Sequence, residues 1–230
     1  MSADTQKQAA GLAAIDHIEN GMKVGLGTGS TAAWFVKAVA DAVQGGLKLT
    51  LVSTSNQTTH LAQSLGLEIR DINDVGKLDV CVDGADEIGA GLALIKGGGG
   101  ALLREKLIWE MADRCIVIAD AAKHVATLGA FALPIEVEPF AYKGTINRIC
   151  DVLSEFDIAK LPVLRKKGGE PFVTDGGNLI FDVPCGAILD PSGLASALKA
   201  TTGVVDHGLF LDLADIALIG TDSGVDILHP

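Results

Sequence analysis

The chain has 230 residues, of which 48% are hydrophobic, only 4% aromatic and 28 are glycine. That composition suits an α/β protein of aliphatic strands and tight loops, as one large domain or a main domain with a small satellite. The 18 Lys and Arg stand against 29 Asp and Glu, a net charge of −11, so the general field repels nucleic-acid phosphates and anionic membranes, and any anionic ligand must be held by local donors.

Apolar runs are broken well before the roughly 20 residues of a membrane span. The opening stretch MSADTQKQAAG has no basic-then-apolar signal pattern. Cys81, Cys115, Cys150 and Cys185 lie more than 30 residues apart with no C-x-x-C. Together these features predict a cytoplasmic protein with reduced cysteines.

In chain order, Ala10, Leu12, Ala13 and Ile15 form the apolar stripe of a first helix. A strand at Lys23–Gly27 leads through a glycine loop into a helix from Ser30 to Val43. Leu47–Ser53 reads as strand, Thr58–Leu65 as helix, Glu68–Ile72 and Lys77–Asp83 as strands, Ala101–Ala112 as helix and Cys115–Ala119 as strand. This alternation implies a Rossmann-like, mostly parallel sheet flanked by helices.

From Ala132 the rhythm changes. Pro134–Glu138 reads as strand, Tyr142–Leu153 as a helix with Ile146, Ile149, Cys150 and Leu153 on one stripe, and Leu161–Arg165 as strand. Turns at Lys166–Pro171 and Asp175–Gly177 flank short strands ending in Leu179–Val183. Asp190 and Pro191 read as N-cap and first-turn proline of a helix to Thr201, followed by a strand at Val204–Phe210. That order is close to a ferredoxin-like unit. Ala214–Gly220 then returns to the first sheet. The expected organisation is a Rossmann-like catalytic domain of residues 1–131 and 206–230, interrupted by a small α+β domain of residues 132–205 that is the expected dimer contact.

Four segments carry chemistry. Gly25-Leu26-Gly27-Thr28-Gly29-Ser30-Thr31-Ala32 joins strand to helix, where free N–H groups and a partial positive charge seat a phosphate. A dinucleotide fingerprint also fits Gly27-x-Gly29-x-x-Ala32, but it wants an acid at the end of the next strand, which here reads Leu51-Val52-Ser53-Thr54. A structural glycine turn is the third reading. Asp83, Gly84, Ala85, Asp86 and Glu87 follow an aliphatic strand, at the carboxyl end where open α/β sheets bind ligands; a solvated acidic loop or weak magnesium site is the alternative. His17, His60, His124, His207 and His229 show no paired ligand spacing, so no metal is expected.

Lys96-Gly97-Gly98-Gly99-Gly100 precedes a helix, and four glycines in a row lose so much entropy on folding that close approach of backbone to a ligand explains them best. At 100° per residue, Lys106, Glu110 and Asp113 cluster on one stripe while Glu105 falls between Trp109 and Ala112 on an apolar side. A carboxylate there is paired, protonated or lining a cleft, and burial moves a general base toward working pH; an ion pair with a lysine from a neighbouring strand is the structural alternative. Lys123, after the strand Ile116–Ala119, either reaches a phosphate or is a surface lysine.

Taken together these segments resemble the ribose-5-phosphate isomerases of type A. The resemblance rests on Gly27-Thr28-Gly29-Ser30-Thr31, Val82-Asp83-Gly84-Ala85-Asp86-Glu87, Lys96-Gly97-Gly98-Gly99, Arg104-Glu105-Lys106, Ala119-Asp120-Ala121-Ala122-Lys123 and Val173-Thr174-Asp175-Gly176-Gly177-Asn178, in the family's order. It implies interconversion of D-ribose 5-phosphate and D-ribulose 5-phosphate through a cis-enediolate in the non-oxidative pentose phosphate pathway. It also implies no cofactor, and a homodimer or dimer-based tetramer. By matching position, Glu105 is the proton-transferring base, and Asp83, Asp86 and Lys96 surround the reacting oxygens. Thr28, Gly29, Ser30, Thr31, Gly84, Ala85, Gly97, Gly98, Gly99 and Lys123 belong to substrate-binding segments, with Lys7 a further phosphate candidate.

Two departures stand out: Gly100 occupies a place where the family pattern has alanine, and the tract Ala141–Lys167 matches no motif. Two other classes compete. A sugar-phosphate sensor would need a DNA-reading helix pair, which neither the first residues nor the charge supplies. A sugar-phosphate deaminase or lactonase would show a histidine near the carboxylates, and none lies between His60 and His124.

Overall fold

The computed structural model describes residues 2–230. In chain order the first elements are α1 (Ala3–Ala13), β1 (Lys23–Leu26), α2 (Ala32–Gln44), β2 (Thr50–Ser53), α3 (Asn56–Ser64), α4 (Ile72–Val75), β3 (Val80–Gly84), β4 (Glu87–Ile88), β5 (Leu94–Ile95), α5 (Leu102–Glu110) and β6 (Cys115–Asp120). Then follow β7 (Leu133–Val137), α6 (Tyr142–Glu155), β8 (Val163–Leu164), β9 (Lys166–Lys167), β10 (Glu170–Pro171), β11 (Leu179–Val183), α7 (Pro191–Lys199), β12 (Val204–His207), β13 (Leu209–Phe210), β14 (Ile216–Thr221) and β15 (Gly224–Leu228). The chain divides into two compact units. The first holds the residues up to Ala85, Arg104–His124 and Asp212–Pro230; the second holds Asp86–Leu103 and Val125–Leu211.

The first unit is built on a sheet of order β15-β14-β6-β3-β1-β2. All neighbours run parallel except the terminal β14–β15 hairpin. Its strands read as aliphatic runs because both faces are covered. Val24, Leu26, Val80, Val82, Ile116, Ile118, Ile216 and Leu218 share one core with Ala10 of α1 and with Phe35, Val36 and Val39 of α2. Gly25 faces the other way, next to Ile108 of α5. Strand order reverses direction at β1: the chain goes on to β2 on one side and to β3 and β6 on the other. Such a switch point opens a crevice at the carboxyl ends of β1 and β3.

The second unit holds an antiparallel sheet of order β12-β7-β11-β8. With α6 after β7 and α7 after β11, this is the ferredoxin-like arrangement expected from the sequence. Leu133, Ile135 and Val137 of β7 pack with Phe181, Val183, Ile149, Leu153, Leu194 and Leu198. Alternation along the strand sends Pro134 and Glu136 to the opposite face. A three-stranded sheet β13-β5-β4 and the β9–β10 hairpin complete the unit.

The limits of the units differ from the expected division at 131/132 and 205/206. Residues 86–103, 125–131 and 206–211 join the second unit, because β13 pairs with β5 and Lys96 donates its N–H to the Gly208 carbonyl at 2.8 Å. The expected strand Val204–Phe210 is split in two: β12 pairs with β7 and β13 with β5. The expected strand Glu68–Ile72 shrinks to one bridge between Ile69 and Leu51. Asp71 instead caps α4, accepting the Asn73 N–H.

Candidate active site

In the first unit, Asp83 is the last residue but one of β3 and has no exposed surface. Its Oδ1 accepts the N–H of Thr28 at 2.9 Å and of Gly84 at 2.7 Å, so one carboxylate ties together the loops that follow β1 and β3. The approach is so close that a Cβ on Gly27 would lie 2.1 Å from Asp83 Oδ1 and 2.5 Å from its Cα, which only glycine admits. The tie sits at the switch point of the sheet.

Thr28 is also buried. Its hydroxyl lies 2.7 Å from Thr54 Oγ1, 2.7 Å from Ser55 Oγ and 3.1 Å from Thr58 Oγ1. A hydroxyl has one donor and two acceptor sites, so the Thr28 side chain is committed to the footing of the loop. Gly29 and Ser30 are exposed and Thr31 is half-buried at the start of α2, where helix N–H groups favour an anion.

Lys7 of α1 donates to Ser30 Oγ at 3.1 Å. Its neighbour Gln6 accepts the Ala121 N–H at 3.4 Å, and Asp120 accepts the Ala122 N–H at 3.2 Å, closing the turn that carries Lys123. Thus Lys7 reaches the glycine loop, and Lys123 rides on a turn fastened to the residue beside Lys7. In a chain of net charge −11, Lys7 beside Ser30 is a local cation of the kind an anionic ligand requires.

Glu105 lies on α5 and is 3% exposed. Leu102, Ile108 and Trp109, three or four residues away on the same side of the helix, are buried with it, while Leu107 and Glu110 are exposed. The helical spacing read from the sequence therefore gives the observed burial. Arg104, one position earlier, donates to Asn56 Oδ1 at 3.1 Å.

In the second unit, Asp86 is half-buried and accepts the Gly98 N–H at 2.7 Å. Ala85, also half-buried, precedes it in the chain. Lys96 is 2% exposed, and its Nζ lies 5.4 Å from the centroid of the Phe210 ring, within cation–π range. Gly98 and Gly99 are exposed, whereas Gly97 and Gly100 are buried. Gly100 has φ +83, and a Cβ there would come 2.4 Å from the Phe172 ring. The glycine found in place of the family's alanine thus follows from the aromatic residue packed against it.

Two residues with no motif to mark them also meet the glycine run. One is Phe172; the other is Arg165, whose Nη1 donates to the Gly97 carbonyl at 2.8 Å and the Gly98 carbonyl at 3.2 Å. Its Nε donates to Asp182 Oδ2 at 2.9 Å, and its Nη2 pairs with Asp182 Oδ1. The signal available in the sequence was an arginine closing one predicted strand and an acid at an alternate position of another. Among the described residues, no group of three or more His, Cys, Asp or Glu has an arrangement that could hold a metal ion.

The family model for ribose 5-phosphate isomerase A (phosphoriboisomerase A) matches residues 50–224. The ribose-5-phosphate isomerase A of Caulobacter sp. (strain K31) is 59% identical over 230 residues, covering all of both chains. A solved D-ribose-5-phosphate isomerase in complex with phospho-erythronic acid superposes with a TM-score of 0.93 at 38% identity, again over all of both chains. The ribose 5-phosphate isomerase of Plasmodium falciparum superposes with a TM-score of 0.93 at 35% identity over 99% of each. With a family model covering most of the chain and a relative matched end to end, the chain belongs to the ribose 5-phosphate isomerase A family.

Proposed function

We propose that, in the aldose–ketose isomerisation of ribose 5-phosphate that family membership brings to this chain, Glu105 is the single base that moves the proton between C2 and C1. The observation that carries this reading is the position of Glu105, an acid on the buried side of α5 among Leu102, Ile108 and Trp109. It lies five residues after Gly100 in the chain.

The closed sugar first opens. Asp83 takes the proton of the anomeric hydroxyl, the bond from C1 to the ring oxygen breaks, and the ring oxygen is protonated with Asp86 or Lys96 assisting. Glu105 then removes the C2 proton of the aldehyde, leaving an enediolate with its charge on O1. The same carboxyl returns that proton to C1, and the C2 hydroxyl proton passes to O1, which yields D-ribulose 5-phosphate. One base serves both carbons because they share a face of the cis-enediolate.

The Lys96 ammonium and the amides of the glycine run stabilise the oxyanion; removing one such preorganised donor typically lowers turnover about 100–1000-fold. Asp86 holds the Gly98 amide, so Gly99 is the donor we assign to the oxyanion. Lys7, Ser30, Thr31, Lys123 and the N-terminus of α2 take the phosphate and tether the open chain. Phospho-erythronic acid, bound in a solved relative, carries a phosphate at one end and a carboxylate at the other. That distribution of charge resembles the enediolate.

A homodimer formed through the second unit is supported by Phe140, Leu161, Val163, Val173 and Leu189, which are large apolar side chains exposed on that unit. A cytoplasmic location is supported by four cysteines in the thiol form. No helix among the described residues is long and apolar enough to cross a membrane.

The test is Glu105→Gln, which keeps shape and removes the base. The variant folds as the parent does and loses nearly all turnover of ribose 5-phosphate; near-parental activity removes Glu105 from the role.

A further inference from the structure

The glycine run is gripped from its carbonyl side by a residue that none of the family motifs contains. The Arg165 guanidinium donates to the carbonyls of Gly97 and Gly98 and is itself forked onto Asp182. The pair is mostly buried, with side chains 15% and 26% exposed. A charge-assisted, two-pronged contact of this kind fixes orientation as well as position.

Its effect on the amides follows from peptide geometry. In a trans peptide, the carbonyl of one residue and the N–H of the next point in opposite directions. The Gly97–Gly98 peptide obeys this: its carbonyl meets Arg165 and its N–H meets Asp86. The Gly98–Gly99 peptide is held by its carbonyl in the same way, so the Gly99 N–H is aimed away from Arg165. The guanidinium charge also polarises both peptides and strengthens them as donors. Phe172 packed on Gly100 blocks the run from sliding at its other end.

We propose that Arg165, locked by Asp182, is a positioning residue that aims and polarises the Gly99 amide as an oxyanion donor. This rests on the reading that the glycine run stabilises the enediolate. It goes beyond that reading in assigning to the inserted ferredoxin-like sheet, through Arg165 and Asp182, a part in the rate of the chemical step. Arg165 itself never touches the sugar. A mis-aimed donor costs less than a missing one.

The test compares Arg165→Ala, Arg165→Lys and Asp182→Asn in the full chain, with steady-state kinetics on ribose 5-phosphate and circular dichroism to confirm folding. Folded Arg165→Ala is expected to lose about 10–100-fold in kcat with KM within about threefold of the parent, the pattern of an interaction made in the transition state alone. Arg165→Lys restores part of the loss, because it keeps the charge without the fork, and Asp182→Asn falls between parent and Arg165→Ala. A folded Arg165→Ala with kcat within about twofold of the parent overturns the proposal, as does a loss confined to KM. If Arg165→Ala does not fold, Arg165→Lys and Asp182→Asn decide by the same criteria. Glu105→Gln separates the two layers: a dead Glu105→Gln beside a parental Arg165→Ala sinks only the role of Arg165, whereas an active Glu105→Gln sinks the site reading on which it rests.

Discussion

Substituting Asp83 separates what its carboxylate holds from what it does. Its Oδ1 accepts two backbone N–H groups, at 2.9 and 2.7 Å, in a position with no solvent exposure. Hydrogen bonds to a charged group are worth about 1.5–3 kcal/mol each, so Asp83→Ala strands the buried Thr28 amide and the part-buried Gly84 amide and costs up to about 3–6 kcal/mol. That is a large fraction of a total stability of about 5–15 kcal/mol. Asp83→Asn keeps an oxygen for both amides and loses only the charge assistance, about 1–2 kcal/mol in all. If Asp83 takes the ring-opening proton as proposed, both variants also lose about 100–10,000-fold in turnover, the usual contribution of a general acid–base group. Urea unfolding followed by circular dichroism, alongside turnover of ribose 5-phosphate, reads both quantities. If Asp83→Ala is as stable as Asp83→Asn, the carboxylate does not tie the two loops; if Asp83→Asn turns over like the parent, it moves no proton.

Two further predictions concern the second unit. Gly100→Ala meets the Phe172 ring and a φ of +83, so chemical denaturation is expected to show a loss of about 1–3 kcal/mol; Phe172→Val recovers the steric part, and an unaffected Gly100→Ala refutes the packing argument. Burial pushes the Cys185 thiol up from its ordinary 9.0 to about 11, so at pH 8 iodoacetamide labels Cys185 far more slowly than free cysteine, as followed by mass spectrometry. Because the folded value is raised, this contribution to stability is complete below pH 9.0 and is lost as pH rises through about 11; labelling at the free-thiol rate contradicts it.

The parallel sheet was legible because its strands, buried on both faces, are continuous aliphatic runs between glycine punctuation. Burial of Glu105 was legible too, since helical periodicity alone puts it beside Trp109. Other features leave no local trace. The bonds from Arg165 to the glycine run span 68 and 67 positions of the chain, and Arg165 does not look unusual by itself. β4, β5 and β13 are two-residue strands, too short to carry a period. The family resemblance places Thr28 in a substrate-binding segment, and nothing local in the sequence shows that its hydroxyl meets Thr54 and Ser55, just after β2, and Thr58 of α3. The Thr174-Asp175-Gly176-Gly177-Asn178 motif has a similar explanation. Thr174 and Asn178 both donate to the buried Glu136, at 2.8 and 2.9 Å, which pins the turn after Phe172.

The most direct measurement is carbon-bound hydrogen exchange in heavy water, followed by NMR during incubation with ribose 5-phosphate. Because the captured proton exchanges with solvent in a fraction of turnovers before Glu105 redelivers it, the parent is expected to put deuterium on C1 of the ketose and C2 of recovered aldose. A single buried base also predicts that Glu105→Gln, folded and with its phosphate seat intact, does neither. Deuterium arriving at C2 in Glu105→Gln at the parental rate would mean that another group moves the proton, and the role assigned to Glu105 would be lost.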